Sequence, residues 1–92
     1  RAQGELAAAR PYLEQALAIH RQVLGKQNPD TAISLNNLGL LLKAQGEWVA
    51  ARPYYEQALA ILEKQLGLQH PTTRTVRGNL DRLLANMEGK TA

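Results

Sequence analysis

The stretch AQGEWVAARPYYEQALAILEKQLG at 44–67 has already occurred at 2–25 as AQGELAAARPYLEQALAIHRQVLG. Sliding the chain against itself by 42 residues pairs 2–43 with 44–85, and 24 of the 42 pairs are identical. A fixed period of about 20 to 50 residues signals one supersecondary unit stacked on its own copies. Each copy must then bury its apolar face against a neighbour, so the chain is read as a solenoid.

The unit is helical. Forty-five per cent hydrophobic residues, with abundant Ala, Leu, Gln and Glu, favour helices over disorder. Phe is absent and β-branched residues are few, which argues against strands. From Glu5 onward, Leu6, Ala9, Leu13, Ala16, Leu17, His20 and Leu24 recur at three- and four-residue spacings, one face of a first helix that stops at Gly25. Residues 1–4 read as the tail of a turn, and a chain opening on Arg1 in mid-repeat reads as an excised or processed fragment. Pro11 and Pro53 fall about six residues inside the pattern, where proline usually kinks a helix. Either the helices begin near Ala8 and Ala50 or they bend there; since both copies carry the proline, one repeated kink or tightened first turn is expected.

Asn28, Pro29 and Asp30 form a capping signal for a second helix over about 29–45, with Leu35, Leu38, Leu41 and Leu42 as its core stripe. Gln45-Gly46-Glu47 is a tight turn into a third helix to Leu66, striped by Trp48, Ala51, Tyr55, Ala58, Leu59, Leu62 and Leu66. A turn this short makes the second and third helices antiparallel neighbours. Gly39 costs helix propensity, so a close approach of the third helix backbone at Ala51 and Ala58 is expected to offset it. Leu68-Gln69-His70-Pro71 repeats the connector, with His70 as turn and cap residue. A fourth helix follows over about 71–87, striped by Val76, Leu80, Leu83, Leu84 and Met87. There Leu35 and Gly39 are replaced by Arg77 and Asp81, spaced to pair with each other. This polar-backed helix is expected to cap the array, and 89–92 to be a frayed tail.

These residues resemble the tetratricopeptide repeat. The match rests on Leu35, Leu38, Gly39 and Leu42, then Ala51, Tyr55 and Ala58, with Pro71 closing the unit. The 42-residue length, with SLNNLGLLL, AARPYYEQALAI and GLQHP, looks like the long-helix variant of kinesin light chains and many bacterial signalling proteins. The resemblance implies an all-α fold: a fragment of a right-handed α–α superhelix with four antiparallel helices. It divides the chain into the second helix of a truncated repeat (1–27), one complete repeat (28–68), the first helix of the next acting as a C-terminal cap (69–88), and a tail (89–92).

In that family the first, or A, helix of each repeat lines a concave groove for peptides or extended protein segments. The matching groove residues here are Ile33, Asn36, Asn37, Leu40 and Lys43 on one A helix, and Thr75, Asn79, Arg82 and Asn86 on the next. Asn37 and Asn79 stand where the family often puts a groove asparagine, whose donors and acceptor can satisfy a peptide backbone of any sequence. Lys43 and Arg82 would attract an acidic partner. The resemblance thus implies a non-catalytic protein-interaction module in the cytoplasm, with homo-oligomerisation or service as a sensor repeat of a larger signalling protein as alternatives.

Other chemistry finds little support. No Cys excludes disulfides and thiolate metal sites. His20 and His70 lie fifty residues apart, His20 as a half-buried stripe residue, so no metal site and no cofactor is expected. Glu5 with Glu47, and Glu14 with Glu56, recur with the unit and read as helix surface, with no sign of a catalytic pair. Trp48 stands where the first copy has Leu6 and is read as core. The longest apolar run, 38–42, is far too short for a membrane. Net charge is +3 with eleven Lys and Arg spread along the chain. Arg74, Arg77 and Arg82 are interrupted by Asp81 and lack an aromatic platform, so solvated surface is expected and no nucleic acid. Finally, the stripe of the first helix (Leu6, Ala9, Leu13, Leu17) has no A helix before it. Self-association through this uncapped N-terminal helix is therefore expected.

Overall fold

Three glycine- or proline-marked connectors divide the chain into four helices: α1 (Ala2–Val23), α2 (Pro29–Ala44), α3 (Trp48–Leu66) and α4 (Pro71–Thr91). The computed structural model describes the backbone of residues 2–91 and the side chains of residues 4–89. No strand occurs among them. Arg1 and Ala92, at the expected leading turn and tail, lie outside the described residues.

The two long connectors share one capping device. Asn28 Oδ1 accepts from the Asp30 amide at 2.8 Å, and Pro29 supplies the preset first helical φ. In the second copy His70 Nδ1 accepts from the Thr72 amide at 3.1 Å, ahead of Pro71. The imidazole takes over the asparagine's task. Buried Thr31 and Thr73 then tie each helix start back to the preceding segment, donating to the Gly25 and Leu62 carbonyls. The short connector closes by a different route. Gly46, at φ +81°, lets the Glu47 amide reach the Leu42 carbonyl at 2.8 Å while its own amide reaches Lys43 at 2.9 Å. This doubly bonded helix end reverses the chain in three residues, so α2 and α3 pack antiparallel.

Both internal prolines are carried inside continuous helices. Neither α1 nor α3 begins after its proline, so the alternative start near Ala8 or Ala50 is set aside. In α3 the hydrogen bond lost at Pro53 is one to the Val49 carbonyl, and Val49 lies at the exposed surface where water serves. At the chain start, Gln3 and Gly4 are helical although their counterparts Gln45 and Gly46 form a turn. That turn is held by carbonyls of α2, and no helix precedes Ala2 among the described residues to do the same. At the other end α4 continues to Thr91, past the expected limit at Met87.

Each helix packs on the next in sequence. One core cluster joins all four: Leu17 from α1, Ala32, Leu35 and Leu38 from α2, Ala58, Ile61 and Leu62 from α3, and Val76 from α4. A second joins Leu42, Ala51, Tyr55, Leu80 and Leu83, with Trp48 and Met87 packed beside it. Trp48 is also anchored by its indole N–H, which donates to the Lys43 carbonyl at 3.2 Å. The core stripes of α2 to α4 fall as the spacing requires.

Three packing details go beyond what the spacing predicts. Arg77 does not pair with Asp81. Its Nη2 donates to the Leu68 carbonyl at 2.9 Å and stands 3.7 Å from Glu63 Oε2, because the connector offers an unclaimed backbone acceptor. The neighbour of Gly39 is the ring of Tyr55, not the alanine backbone. On α1, Leu17 is buried and Leu13 packs against the core, while Leu6 and Ala9 of the same stripe stay half-buried. The large apolar side chains most open on α1 are Tyr12, Ile19 and Val23, off that stripe.

Candidate peptide-binding face

On α2 the spacing of 33, 37 and 40 draws Ile33, Asn37 and Leu40 into one line, and all three are exposed. Lys43 continues the helix past them and is half-buried. On α4 Thr75, Arg82 and Asn86 are exposed. Thr75 spends its hydroxyl proton on the Pro71 carbonyl at 3.0 Å. Asn36 and Asn79 differ from the other seven: each is only 8% exposed and sits between the two helices.

The structure brings three of the nine together. Asn79 Nδ2 donates to Asn36 Oδ1 at 3.0 Å, and Arg82 Nη2 donates to Asn79 Oδ1 at 2.6 Å. No hydrogen bond joins Ile33, Asn37, Leu40, Lys43, Thr75 or Asn86 to this trio among the described residues.

The direction of the chain is fixed by chemistry. A guanidinium can only donate, so Asn79 must turn its oxygen to Arg82 and its amide nitrogen to Asn36. Asn36 must answer with its oxygen. No hydrogen bond from its own NH2 group is found among the described residues. The chain thus ends on the exposed guanidinium of Arg82, whose N–H groups suit carbonyl or carboxylate oxygens.

Beneath lies Tyr55, fully buried, whose hydroxyl has no hydrogen-bond partner. Burial pushes its phenol above the usual tyrosine range, and the positive charge of Arg82 partly opposes this. The sequence reading missed that proximity. Arg82 and Tyr55 belong to different repeats, and helical periodicity carries no signal between helices of different repeats.

Among the described residues no group of three or more His, Asp or Glu side chains is placed to hold a metal ion. No helix of the described chain is long and apolar enough to cross a membrane. The face is one of hydrogen-bond donors and aliphatic side chains.

The family model for the tetratricopeptide repeat matches residues 1–64. The chain belongs to the tetratricopeptide repeat family. No individual curated protein matches it at a significant level. Tetratricopeptide repeats are typically non-catalytic modules for contact with other proteins, and membership points this chain to protein–protein interaction.

Proposed function

We propose that the chain is a non-catalytic protein–protein interaction module of the 42-residue, kinesin-light-chain-like kind. It binds a peptide or extended protein segment along the A helices α2 and α4, the concave face of the array. The observation that carries this reading is the Asn36–Asn79–Arg82 chain, which links α2 to α4 and ends on an exposed guanidinium donor. Ile33 and Leu40 add exposed aliphatic contacts beside Asn37. Lys43, on the same helix as Asn37, adds a second cation, so acidic segments are favoured over basic ones. A cytoplasmic setting, and no use of nucleic acid, membrane or cofactor, belong to the same reading.

A peptide-array screen with the 92-residue chain, repeated with Asn37→Ala and Arg82→Ala, tests it. Both substitutions are at exposed positions, so helicity should be kept while binding of the selected peptides falls by about tenfold or more. Peptides that bind both variants as well as the parent would remove α2 and α4 as the binding face.

A second reading is homo-oligomerisation, with the chain as an assembly or sensor repeat of a larger signalling protein. Tyr12, Ile19 and Val23, open on one side of α1, support it. Their occupant would be the same helix of a second copy.

A further inference from the structure

The capping residues of the two copies do not answer acid in the same way. Asn28 and His70 stand 42 residues apart, each just ahead of a proline. Each side chain accepts from the amide two residues on, Asn28 from Asp30 at 2.8 Å and His70 from Thr72 at 3.1 Å. An asparagine oxygen keeps its lone pairs throughout the ordinary pH range. An imidazole keeps a ring acceptor only while neutral, because both ring nitrogens donate once it is protonated. The Thr72 amide can only donate, so the bond requires a bare Nδ1 and the proton on Nε2. A second proton on the ring therefore ends the cap.

The surroundings offer that proton nothing in exchange. Among the described residues no carboxylate forms an ion pair with His70. The charged groups on the elements that meet there are Arg74 and Arg77 on α4, Glu63 and Lys64 at the end of α3, and Asp30 in the first turn of α2. Glu63 faces Arg77 at 3.7 Å, and Asp30 sits at the amide end of its own helix. Arg74, whose amide bonds the His70 carbonyl, sets a positive charge one turn along. A cation at His70 also opposes the positive end of α4.

Two further bonds fasten the start of α4 to the segment before it. Thr73 Oγ1 donates to the Leu62 carbonyl at 3.3 Å, and Arg77 Nη2 to the Leu68 carbonyl at 2.9 Å. Neither involves a group that titrates with His70, so loss of the cap frays the first turn and leaves the fold in place. Thr75 bonds the Pro71 carbonyl in this turn, so the state of the cap reaches the candidate face.

We propose that His70 is a pH-sensitive cap: neutral, it closes the first turn of α4, and protonated, it releases that turn while the Asn28 cap of α2 stays closed. The device stands whether or not the face on α2 and α4 binds a peptide.

The test is NMR of the carbon- and nitrogen-labelled 92-residue chain from about pH 7.5 to about pH 5, where histidine takes up its proton. At the upper end the ring nitrogens of His70 should show the Nε2–H tautomer. As the ring titrates, the Cα shifts of Thr72, Thr73 and Arg74 should move toward coil values. The ratio of closed to frayed turn should fall about fivefold. The shifts of Asp30, Thr31 and Ala32 should hold. His70→Asn, which copies the first cap, should keep the turn closed and remove the response. His70→Ala should leave it frayed at both ends of the range. His20→Leu, which copies Leu62, should leave the response intact. An Nδ1–H tautomer, a first turn of α4 unmoved while His70 titrates, or a response that survives in His70→Asn would each overturn the proposal.

Discussion

The ring of Tyr55 lies against the backbone at Gly39, so closely that a β-carbon there would stand 2.8 Å from Cε1 and 2.9 Å from Cδ1. Tyr55 is fully buried, so its ring has little room to retreat. In Gly39→Ala, overpacking costs about 1–3 kcal/mol, against a helix-propensity gain of up to about 1 kcal/mol. The variant should lose about 1–2 kcal/mol in urea unfolding followed by circular dichroism. A higher melting temperature would show that the ring yields freely.

That position also marks where the sequence stops informing. A glycine in the core stripe says that something comes near, and the repeat says which helix brings it. Which atom arrives depends on a rotamer, and periodicity is blind to rotamers. Arg77 went astray for the same reason: spacing offered Asp81, while a free carbonyl at Leu68 lay within reach of the long side chain. The helices, their caps and the core stripes of α2 to α4 were legible because each is set by residues within one turn or one period. Asn36 and Asn79 could be placed on facing helices, but their mutual bond, and hence their burial, arises from packing between repeats.

The Tyr55 hydroxyl is buried with no partner, so its removal should help. Tyr55→Phe is expected to raise stability by about 1 kcal/mol. A pH dependence follows as well. Burial raises the folded phenol above its ordinary value of 10.0. Below that value both states are neutral and stability is fully present. As pH rises past it the unfolded chain ionises first, and stability is lost until the folded phenol ionises too. Urea midpoints compared at neutral and alkaline pH should therefore fall more steeply for the parent than for Tyr55→Phe. Parallel slopes would rule out this tyrosine as the cause.

Asn79 and Arg82 should separate structure from recognition. Asn79→Ala leaves the oxygen of Asn36 without its donor at an 8% exposed position, a loss of about 1–3 kcal/mol. It also frees the Arg82 side chain, so peptide binding on α2 and α4 should weaken with it. Arg82→Ala also removes a donor, that to the Asn79 oxygen, but from an exposed side chain that water can replace, so it should cost less than Asn79→Ala, about 1 kcal/mol or below. Removing this cation should push the Tyr55 phenol higher still, a change visible in an ultraviolet titration of the tyrosines. An Asn79→Ala protein as stable as Arg82→Ala would mean that water replaces the bond at no cost.

The repeat supplies its own control for the open side of α1. Ile61 and Ile19 are register mates 42 residues apart, yet Ile61 is 6% exposed and Ile19 is 58% exposed. Ile61 is covered because α3 has α1 and α2 beside it, and it shares a core cluster with Leu17 and Leu35. Ile19 has no such neighbours, and Tyr12 and Val23 stand exposed on the same helix. Burying a side chain of this kind is worth about 1.5–3 kcal/mol, so a second copy gains by covering it. Ile61→Glu should unfold the chain or cost more than about 3 kcal/mol, since it leaves a charge in the core. Ile19→Glu should leave helicity and unfolding midpoint nearly untouched while abolishing self-association. Sedimentation equilibrium at high micromolar concentration distinguishes the cases: the parent should associate and Ile19→Glu should not. A parent that sediments as a fully helical monomer would show that this face is content in water.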